Sequence, residues 1–490
     1  MSTDNNLARH ALTARHVAIM SMAATGPAAV LALNFGVMGA MAGPAFVLAL
    51  VFTLIAVLFL ANTLVQFSHR YPSAGAIYTW VTRAFGQRTG FVLGWLFAGS
   101  YILLSAAAVI VLGYWGETIT GIALGGAVPW WVWSAAGLAF IALLAYRGIA
   151  QSTRSMLILF GVELAVVLAL ALWVIIRVAA TGGLTTTPFQ PSAVPHGGGW
   201  AAIGLAMTFG VLSCVGLEEA TTLAEETANA RRAVARGVLL AAIVIPATYV
   251  LAGYAVSAGL GDEVMSNLDA ATADPLGEVT TRFWGDGVGL WIVFLAVLSS
   301  ILAFTQTAFN AALRVLYALG REGLVPRPLG RTHPVHKTPH VAAWVVAALV
   351  VVLGVPPAIS SGPLNVWIYY GFMISVMFLV VYGTTNLALI VDTLRNHRAR
   401  FHPVKHGILP AIGLLAMAYP LYRTVWPLPA EPLPLLALAV LGWIALGVVV
   451  MVWLSARRPE AVRRAGLVMG ELAELDDVDG VDRRQLPDRS

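Results

Sequence analysis

The first apolar segment of the chain reads MSMAATGPAAVLALN from Met20 to Asn34, with a Gly-Pro pair in its middle. Pro27 has no N–H to donate and disfavours helical geometry at Gly26, so we expect this helix to unwind around residues 23–27. A second apolar segment reads FGVLSCVGLEEA from Phe209 to Ala220, where two glycines flank a short polar stretch and two carboxylates follow. Since unpaired backbone groups cost several kcal/mol in hydrocarbon, both interruptions call for an explanation.

The composition excludes several classes of protein. The 490 residues are 59% hydrophobic and 11% charged, and the mean hydropathy is +0.81. An ordinary soluble domain has roughly 25% charged residues, so a soluble enzyme and a disordered chain are both excluded. Cys214 is the single cysteine, which excludes an internal disulfide scaffold. We therefore expect the chain to lie in a lipid bilayer.

Twelve apolar stretches are candidate membrane spans, each near the roughly 20 residues that a spanning helix needs. The ninth is the shortest, because Pro356-Pro357 is expected to close it. The stretches cover residues 17–36, 44–67, 91–113, 130–146, 155–178, 200–222, 237–259, 288–312, 341–355, 364–390, 408–426 and 434–455.

The basic residues predict the orientation of these spans. With twelve spans both termini share one side, and that side holds all of the 29 lysines and arginines except Arg177, Arg282 and Arg423. The positive-inside rule then places both termini in the cytoplasm of a multi-pass plasma-membrane protein. The net charge of +5 follows from this asymmetry and does not call for a nucleic-acid partner.

The two interrupted segments are the first and the sixth, the first members of two blocks of five. Interruptions at corresponding places predict an inverted-repeat secondary transporter, with its substrate site between the broken helices at the bilayer midplane. For either helix alone, a simple kink is the alternative, because glycine and proline are frequent in membrane helices.

Three motifs resemble those of one known family. RYPSAGAIYTWVTRAFGQRTGFVLGW spans Arg70 to Trp95, VGLEEATTLAEETANARRAVARGV spans Val215 to Val238, and ALRVLYALGREGLVPRPLGRTHPVHKTPH spans Ala312 to His340. In this order they resemble the amino acid–polyamine–organocation transporter superfamily. The resemblance implies an all-α membrane protein with a five-plus-five inverted repeat of the LeuT-like type, broken helices 1 and 6 and two extra C-terminal helices. It also implies alternating-access transport of an amino acid or a related amine.

The predicted domain organisation follows from these segments. We expect a cytoplasmic N-terminal segment at 1–14, a transporter domain at 15–455 and a cytoplasmic tail at 456–490. Within the domain, repeat one covers about 15–178, repeat two about 200–390, and helices 11 and 12 about 408–455.

The substrate site is predicted at the two breaks. A free half-helix N-terminus presents N–H groups to an anion, so the first break is expected to bind a substrate carboxylate, with the Thr25 hydroxyl as a further donor. Loose carbonyls at the end of the first half of helix 6 are expected to bind an ammonium group, and the resemblance implies the same two segments. Selectivity is assigned to Tyr101 and Leu212; in several relatives an aromatic gate takes the place of Leu212. The predicted substrate-binding residues are Ala23, Ala24, Thr25, Gly26, Tyr101, Val211, Leu212, Ser213 and Cys214.

Energy coupling is predicted at Glu163, Ser299 and Ser300. Glu163 lies in the apolar segment LFGVELAVVLAL, where an ionisable group is costly and indicates function. The resemblance implies a lysine at this position in many proton-coupled relatives and a sodium site, or its proton-coupled substitute, beside the serines. A carboxyl group can carry a proton or help bind a cation there. The alternatives are a permanently protonated structural Glu163 and serines that only join helices. No cofactor is expected beyond a proton or sodium gradient.

Glu218 is the predicted gating residue, implied by the matching glutamate of the family. Stabilisation of its charge by the dipole of the second half of helix 6 is the structural alternative. No catalytic residue or metal site is predicted, apart from possible sodium at Ser299 and Ser300. Besides an importer or exchanger of amino acids, the sequence leaves open a polyamine or organic-cation exchanger, a sodium-coupled symporter and, more distantly, a membrane enzyme or a channel.

Overall fold

Helices dominate the computed structural model, which describes residues 14–72, 75–222, 227, 229–270, 274–427 and 429–464. The first half of the chain contains α1 (Ala14–Ala23), α2 (Pro27–Ala42), α3 (Phe46–Arg70), α4 (Ala76–Phe85), α5 (Gln87–Leu124), α6 (Trp130–Arg147) and α7 (Ile149–Ala180). The second half contains α8 (Gly199–Ser213), α9 (Glu219–Thr222), α10 (Ala230–Leu260), α11 (Asp262–Ser266), α12 (Pro275–Trp284), α13 (Leu290–Arg321), α14 (His340–Ser361) and α15 (Pro363–Asn396). The chain continues through α16 (Leu409–Arg423), α17 (Leu433–Arg457) and α18 (Pro459–Arg464).

Each predicted membrane stretch falls on these helices. The described residues contain 10 helical segments long and apolar enough to cross a membrane. One of them, Val17–Arg70, has 54 residues and contains the first two predicted stretches, and the shorter apolar helix Gly199–Ser213 lies in the sixth. The first residues of the N-terminal segment and the acidic part of the tail lie outside the described residues.

The ninth helix extends further than predicted. α14 continues through Pro356 and Pro357 to Ser361, so the expectation that the proline pair closes it is wrong. Pro357 has no N–H to offer the carbonyl of Leu353, which would accept it in a regular helix. The Tyr370 hydroxyl of α15 donates to that carbonyl at 2.7 Å instead. A neighbouring helix thus supplies the hydrogen bond that the proline removes.

Four pairs of corresponding helices from the two halves pack against each other. The α2 half of the first broken helix contacts α8, α3 contacts α10, α5 contacts α13 and α6 contacts α14. Each contact joins elements that hold the same place in the two blocks of five, which agrees with the five-plus-five architecture. The exact limits of the repeats remain a prediction.

The outer surface of the helix bundle is apolar. Large exposed hydrophobic side chains lie on the peripheral helices, and they include Phe140, Ile158, Leu415, Val449 and Trp453. Soluble monomers rarely expose so much contiguous apolar surface. Polar and ionisable side chains such as Glu163, Glu218 and Ser300 are instead completely buried at the centre.

Candidate functional site

The first helix is broken where the Gly-Pro pair predicts. α1 ends at Ala23 and α2 begins at Pro27. Between them Gly26 has φ 55° and ψ 67°, a left-handed conformation that costs glycine little and other residues more. A Cβ atom on Gly26 would lie 2.9 Å from the Phe304 ring and 3.2 Å from the Ser300 hydroxyl. Backbone conformation and close packing on α13 therefore both require glycine here.

The backbone amides of the first break are not free. The N–H groups of Ala24, Thr25 and Gly26 donate to the carbonyls of Met20, Met22 and Ala23 at 2.9, 3.2 and 3.1 Å. The Thr25 hydroxyl donates to the Met22 carbonyl at 2.7 Å. The expectation of unpaired amides is therefore wrong for this conformation, because the chain closes turns on itself before α2 begins. Binding of a carboxylate by this segment remains a prediction, and it requires some of these bonds to open.

The sixth helix is also broken. α8 ends at Ser213 and α9 begins at Glu219, with Gly216 at φ 107° between them. The carbonyls of Val211 and Leu212 accept hydrogen bonds from Cys214 and Val215 at 3.0 and 3.1 Å. Since a carbonyl oxygen has two lone pairs, each can still accept a second donor such as an ammonium group.

The two breaks lie directly against each other. A Cβ atom on Gly216 would be 2.8 Å from both the Cβ and the carbonyl oxygen of Ala24. The Ser21 hydroxyl donates to the Leu217 carbonyl at 2.5 Å, which joins the end of α1 to the second break. The two breaks thus meet in a buried contact through Ala24 and Gly216, and the predicted substrate residues Thr25 and Leu212 are each 5% exposed.

A polar bridge extends this contact to α15. The Asn34 amide donates to the Ser213 hydroxyl at 2.9 Å, and its oxygen accepts from the Trp367 indole at 3.0 Å. Ser213 in turn donates to the carbonyl of Phe209 at 2.7 Å. The predicted residue Ser213 is therefore hydrogen-bonded to two residues, Asn34 and Phe209, and Trp367 in turn holds Asn34.

Glu218 lies at the end of the second break and is completely buried. The hydroxyl groups of Tyr101 on α5 and Tyr382 on α15 donate to its carboxyl oxygens at 2.5 and 2.6 Å, and the Gly216 N–H donates at 3.2 Å. Glu218 directly precedes α9, and stabilisation of its charge by the dipole of this half-helix remains a prediction. Tyr101, predicted as a selectivity residue, thus reaches the site through Glu218.

Glu163 on α7 is 0% exposed, and no described group meets its carboxyl oxygens with full hydrogen-bond geometry. The Ser300 hydroxyl is nevertheless close enough to interact with the carboxyl as a hydrogen-bonding side chain, and the Tyr249 hydroxyl lies within electrostatic reach of it. Both of these groups contact the first break: Ser300 accepts a hydrogen bond from the Ala29 N–H at 3.1 Å, and Tyr249 donates to the Thr25 carbonyl at 3.2 Å. Ser300 and Tyr249 therefore lie between the Glu163 carboxyl and the predicted substrate segment of the first helix.

The two predicted serines have different environments. Ser300 is completely buried and contacts the first break. Ser299 is only partly buried, and its hydroxyl donates to the Ala296 carbonyl of its own helix at 2.8 Å. The structure therefore brings Ser300, but not the Ser299 hydroxyl, to the first break.

Sequence reasoning missed several residues of this site: Asn34, Tyr249, Phe304, Trp367 and Tyr382. Asn34 carries a usable signal, because it is a polar residue within an apolar helix. The tyrosines and Trp367 carry none, since aromatic residues are common in membrane helices and only tertiary packing directs these polar groups inward.

The described helices, the paired breaks and the buried polar centre agree with comparisons to known proteins. A family model described as amino acid permease matches residues 16–422. The chain belongs to the amino acid permease family. It is a multi-pass membrane transporter and not an enzyme.

Individual relatives are more distant. The chain is similar to the branched-chain amino acid permease BcaP of Bacillus subtilis, at 27% identity over 64% of this chain and 68% of the relative. It is also similar to the low-affinity putrescine importer PlaP of Escherichia coli K12, at 25% identity over 70% of this chain and 74% of the relative. The chain is also similar to a methylthioribose transporter of Bacillus subtilis, at 22% identity over 88% of this chain and 87% of the relative.

A solved structure supports the fold. Mhp1, a nucleobase–cation symport family 1 transporter in a closed conformation, matches with a TM-score of 0.54 at 15% identity, over 94% of this chain and 98% of Mhp1. At this identity the likeness shows the fold alone, and it agrees with the LeuT-like architecture.

Proposed function

We propose that this permease moves an amino acid across the plasma membrane by alternating access and couples that movement to protons. The substrate carboxylate binds at Ala24, Thr25 and Gly26, and its ammonium group binds at the carbonyls of Val211 to Cys214. The relatives that transport branched-chain amino acids support an amino acid substrate. The apolar side chain of Leu212 and the small residues around it favour an uncharged substrate.

The observation that carries this proposal is the position of Glu163. Its carboxyl is completely buried, its one hydrogen-bonding neighbour among the described residues is the Ser300 hydroxyl, and both Ser300 and the nearby Tyr249 are hydrogen-bonded to the first helix at its break. An ionisable group at such a position indicates a proton or ion pathway.

The contacts explain how a proton could be linked to substrate. When Glu163 is protonated, Ser300 and Tyr249 can stay bonded to the break as they are here. When Glu163 loses its proton, the bare carboxylate needs donors, because a buried unpaired charge is very costly. The Tyr249 hydroxyl, which interacts electrostatically with Glu163, is then drawn from the Thr25 carbonyl toward the carboxylate, and the break loses one of its restraints.

A proton suits this site better than sodium. A sodium site needs several oxygen ligands, yet Ser299 is bonded within α13 and Ser300 already accepts from Ala29. A proton needs only the one carboxyl group. Sodium coupling through Ser299 and Ser300 is therefore the second candidate, and it requires Ser299 to turn away from its own helix.

Glu218 is proposed as the gate. Its carboxyl joins the second break to α5 and α15 through the hydroxyl groups of Tyr101 and Tyr382. These three elements can move apart only if these hydrogen bonds break. The putrescine importer among the relatives keeps a diamine as an alternative substrate, for which Glu218 would supply the counter-charge.

The proposed orientation places both termini in the cytoplasm. It is supported by the concentration of lysines and arginines on one side of the predicted spans. The C-terminal ends of α3 and α15, with Arg70 and Arg395, then face the cytoplasm.

Uptake into proteoliposomes tests the proposal. We expect a branched-chain or another uncharged amino acid to accumulate when the lumen is alkaline relative to the outside, and not when only a sodium gradient is imposed. Accumulation of putrescine alone would favour the alternative substrate. Accumulation driven only by sodium would overturn proton coupling, and no uptake of any amino acid or amine would overturn the proposed substrate class.

A further inference from the structure

Trp367 lies in the second turn of α15, near the end of that helix which the proposed orientation places outside the cell. Its side chain is 4% exposed. Its indole N–H donates to the Asn34 side-chain oxygen at 3.0 Å, and its ring packs against the Phe304 ring, with centroids 5.8 Å apart and planes at 62°. One side chain of α15 therefore contacts both α2, which carries Asn34, and α13, which carries Phe304.

The helix α15 reaches these two helices through side chains and not through a packed face. Among the described residues, α15 packs closely on α5, α8 and α16, but not on α2 or α13. The Trp367 ring thus fills a gap between α15 and the other two helices. Two packed helix faces separate only by losing many contacts at once, whereas a gap filled by one side chain opens when that side chain changes rotamer.

The gap leads to both breaks. Phe304, on which Trp367 packs, also lies against the first break, because a Cβ atom on Gly26 would be 2.9 Å from its ring. Asn34 donates to the hydroxyl of Ser213, the last residue of α8 before the second break. Asn34, Ser213 and Phe304 are all buried. The bridge from Trp367 to Ser213 therefore covers the breaks on the side from which α2 and α8 approach them.

We propose that Trp367 is the outer gate of this transporter, and that Asn34 is the residue that positions it. The indole closes the route from outside to the two breaks, and the route opens when the hydrogen bond to Asn34 breaks and the ring leaves Phe304. The inference rests on the orientation and the substrate segments given under the proposed function. It differs from the role of Glu218, whose hydrogen bonds join the second break to α5 and α15.

The hydrogen bond sets which state of the gate is favoured. Asn34 is 1% exposed, so its side-chain oxygen depends on the indole N–H as a donor while the gate is closed. Leaving a buried acceptor unpaired is costly, and loss of this bond therefore destabilises the closed state. Because Asn34 also holds Ser213, the position of the gate depends on both outer half-helices, α2 and α8.

Chemical labelling of Cys214 measures the opening of this gate. Cys214 is the single cysteine of the chain, directly follows Ser213 and is 1% exposed. A membrane-impermeant methanethiosulfonate reagent added to whole cells should reach it only while the outer route is open. The mass of the full-length protein, purified after increasing times, gives the labelled fraction and hence the labelling rate.

Two variants change the gate in different ways. Trp367→Phe keeps an aromatic ring and removes the N–H, whereas Asn34→Ala removes the acceptor. We expect each to be labelled from outside about tenfold faster than wild type, since loss of one buried hydrogen bond shifts the closed–open equilibrium by about that factor. Trp344→Phe is the matched control, because Trp344 is 63% exposed on α14. Its rate should stay within about twofold of wild type, as for other surface substitutions.

Labelling from the inner side separates gating from a general loss of packing. With the same reagent on inside-out membrane vesicles, we expect the gate variants to be labelled no faster than wild type, because a state open to the outside is closed to the inside. Faster labelling from both sides would mean that Trp367 and Asn34 only stabilise the fold, and would overturn the proposal. Wild-type rates from outside in both gate variants would also overturn it, as would an equal acceleration in Trp344→Phe.

If one gate variant does not fold, the other gives the same comparison. The measurement uses no substrate and no proton or sodium gradient. Failure of the proposed substrate or of proton coupling would therefore leave the expected labelling unchanged. Acceleration from the inner side alone would overturn the outer position of the gate together with the proposed orientation.

Discussion

The backbone N–H of Ala29 donates a hydrogen bond to the Ser300 hydroxyl at 3.1 Å, although 271 positions separate the two residues in the chain. Ala29 lies in the first turn of α2, where helix N–H groups have no partner within the helix. Ser300 supplies that partner from α13 and is also within reach of Glu163. One hydroxyl group thus links the start of α2 to the buried carboxyl.

Replacing Ser300 with alanine should reduce kcat/KM for uptake by about tenfold or more, because it leaves a buried N–H without an acceptor. Ser299→Ala is the control, since the Ser299 hydroxyl donates to the Ala296 carbonyl of its own helix. Initial uptake rates in proteoliposomes give kcat/KM for both variants. Equal losses in the two variants would mean that Ser300 has no special role, and a larger loss in Ser299→Ala would favour a sodium site.

Replacing Gly216 with alanine should destabilise the contact between the breaks. The new Cβ would lie 2.8 Å from Ala24, and Gly216 has φ 107°. Gly261→Ala is the matched control, because Gly261 has φ 90° and no atom of the described residues lies within 4 Å of the added Cβ. Both variants have the strain of an alanine at positive φ. Overpacking should lower the free energy of unfolding of Gly216→Ala by about 1–3 kcal/mol more than that of Gly261→Ala.

Thermal unfolding and substrate binding separate these effects. We expect Gly216→Ala to lower Tm more than Gly261→Ala and to lose substrate affinity, whereas Gly261→Ala keeps it. Equal Tm and affinity in both variants would show that the breaks are not packed together as described.

Replacing Tyr382 with phenylalanine should slow transport by removing one donor to the Glu218 carboxyl. We expect about a tenfold change in uptake rate, as for loss of a buried hydrogen bond to a charged or strongly polar group. Tyr101→Phe should act in the same way, and the double variant should be non-additive because both donors share one carboxyl group.

Tyr422→Phe is the control for these tyrosine variants, since Tyr422 is 49% exposed at the end of α16. Exchange of labelled for unlabelled substrate measures the rate of alternation in each variant. If Tyr382→Phe and Tyr101→Phe exchange substrate at the wild-type rate, Glu218 is not a gate.

The sequence predicted those features that depend on a few neighbouring residues. Pro27 and Gly26 make the first break necessary, and Glu163 stands out because it is an acid in an apolar helix. The same reasoning failed at α14, where Tyr370 replaces a hydrogen bond that Pro357 removes. It also failed for the amides of the first break, because their turn bonds depend on the folded path of the chain.

The contacts between helices could not be predicted from the sequence, because they depend on which face of each helix points to its neighbours. Ser299 and Ser300 are adjacent, yet neighbouring residues of a helix point about 100° apart, so only one can face the break. The sequence does not show which one. Tyr249 and Tyr382 have no local feature that distinguishes them from tyrosines facing lipid, and their roles depend on helices that meet only in the folded protein.

The most direct test of the proposed coupling is the movement of protons with substrate. Proteoliposomes with a pH-sensitive dye in the lumen receive the transported amino acid from outside, for the wild type and for Glu163→Gln. We predict that substrate entry acidifies the lumen for the wild type, and that Glu163→Gln shows no acidification while it still exchanges labelled for unlabelled substrate. Equal acidification by the variant, or wild-type uptake without any acidification, would contradict the account.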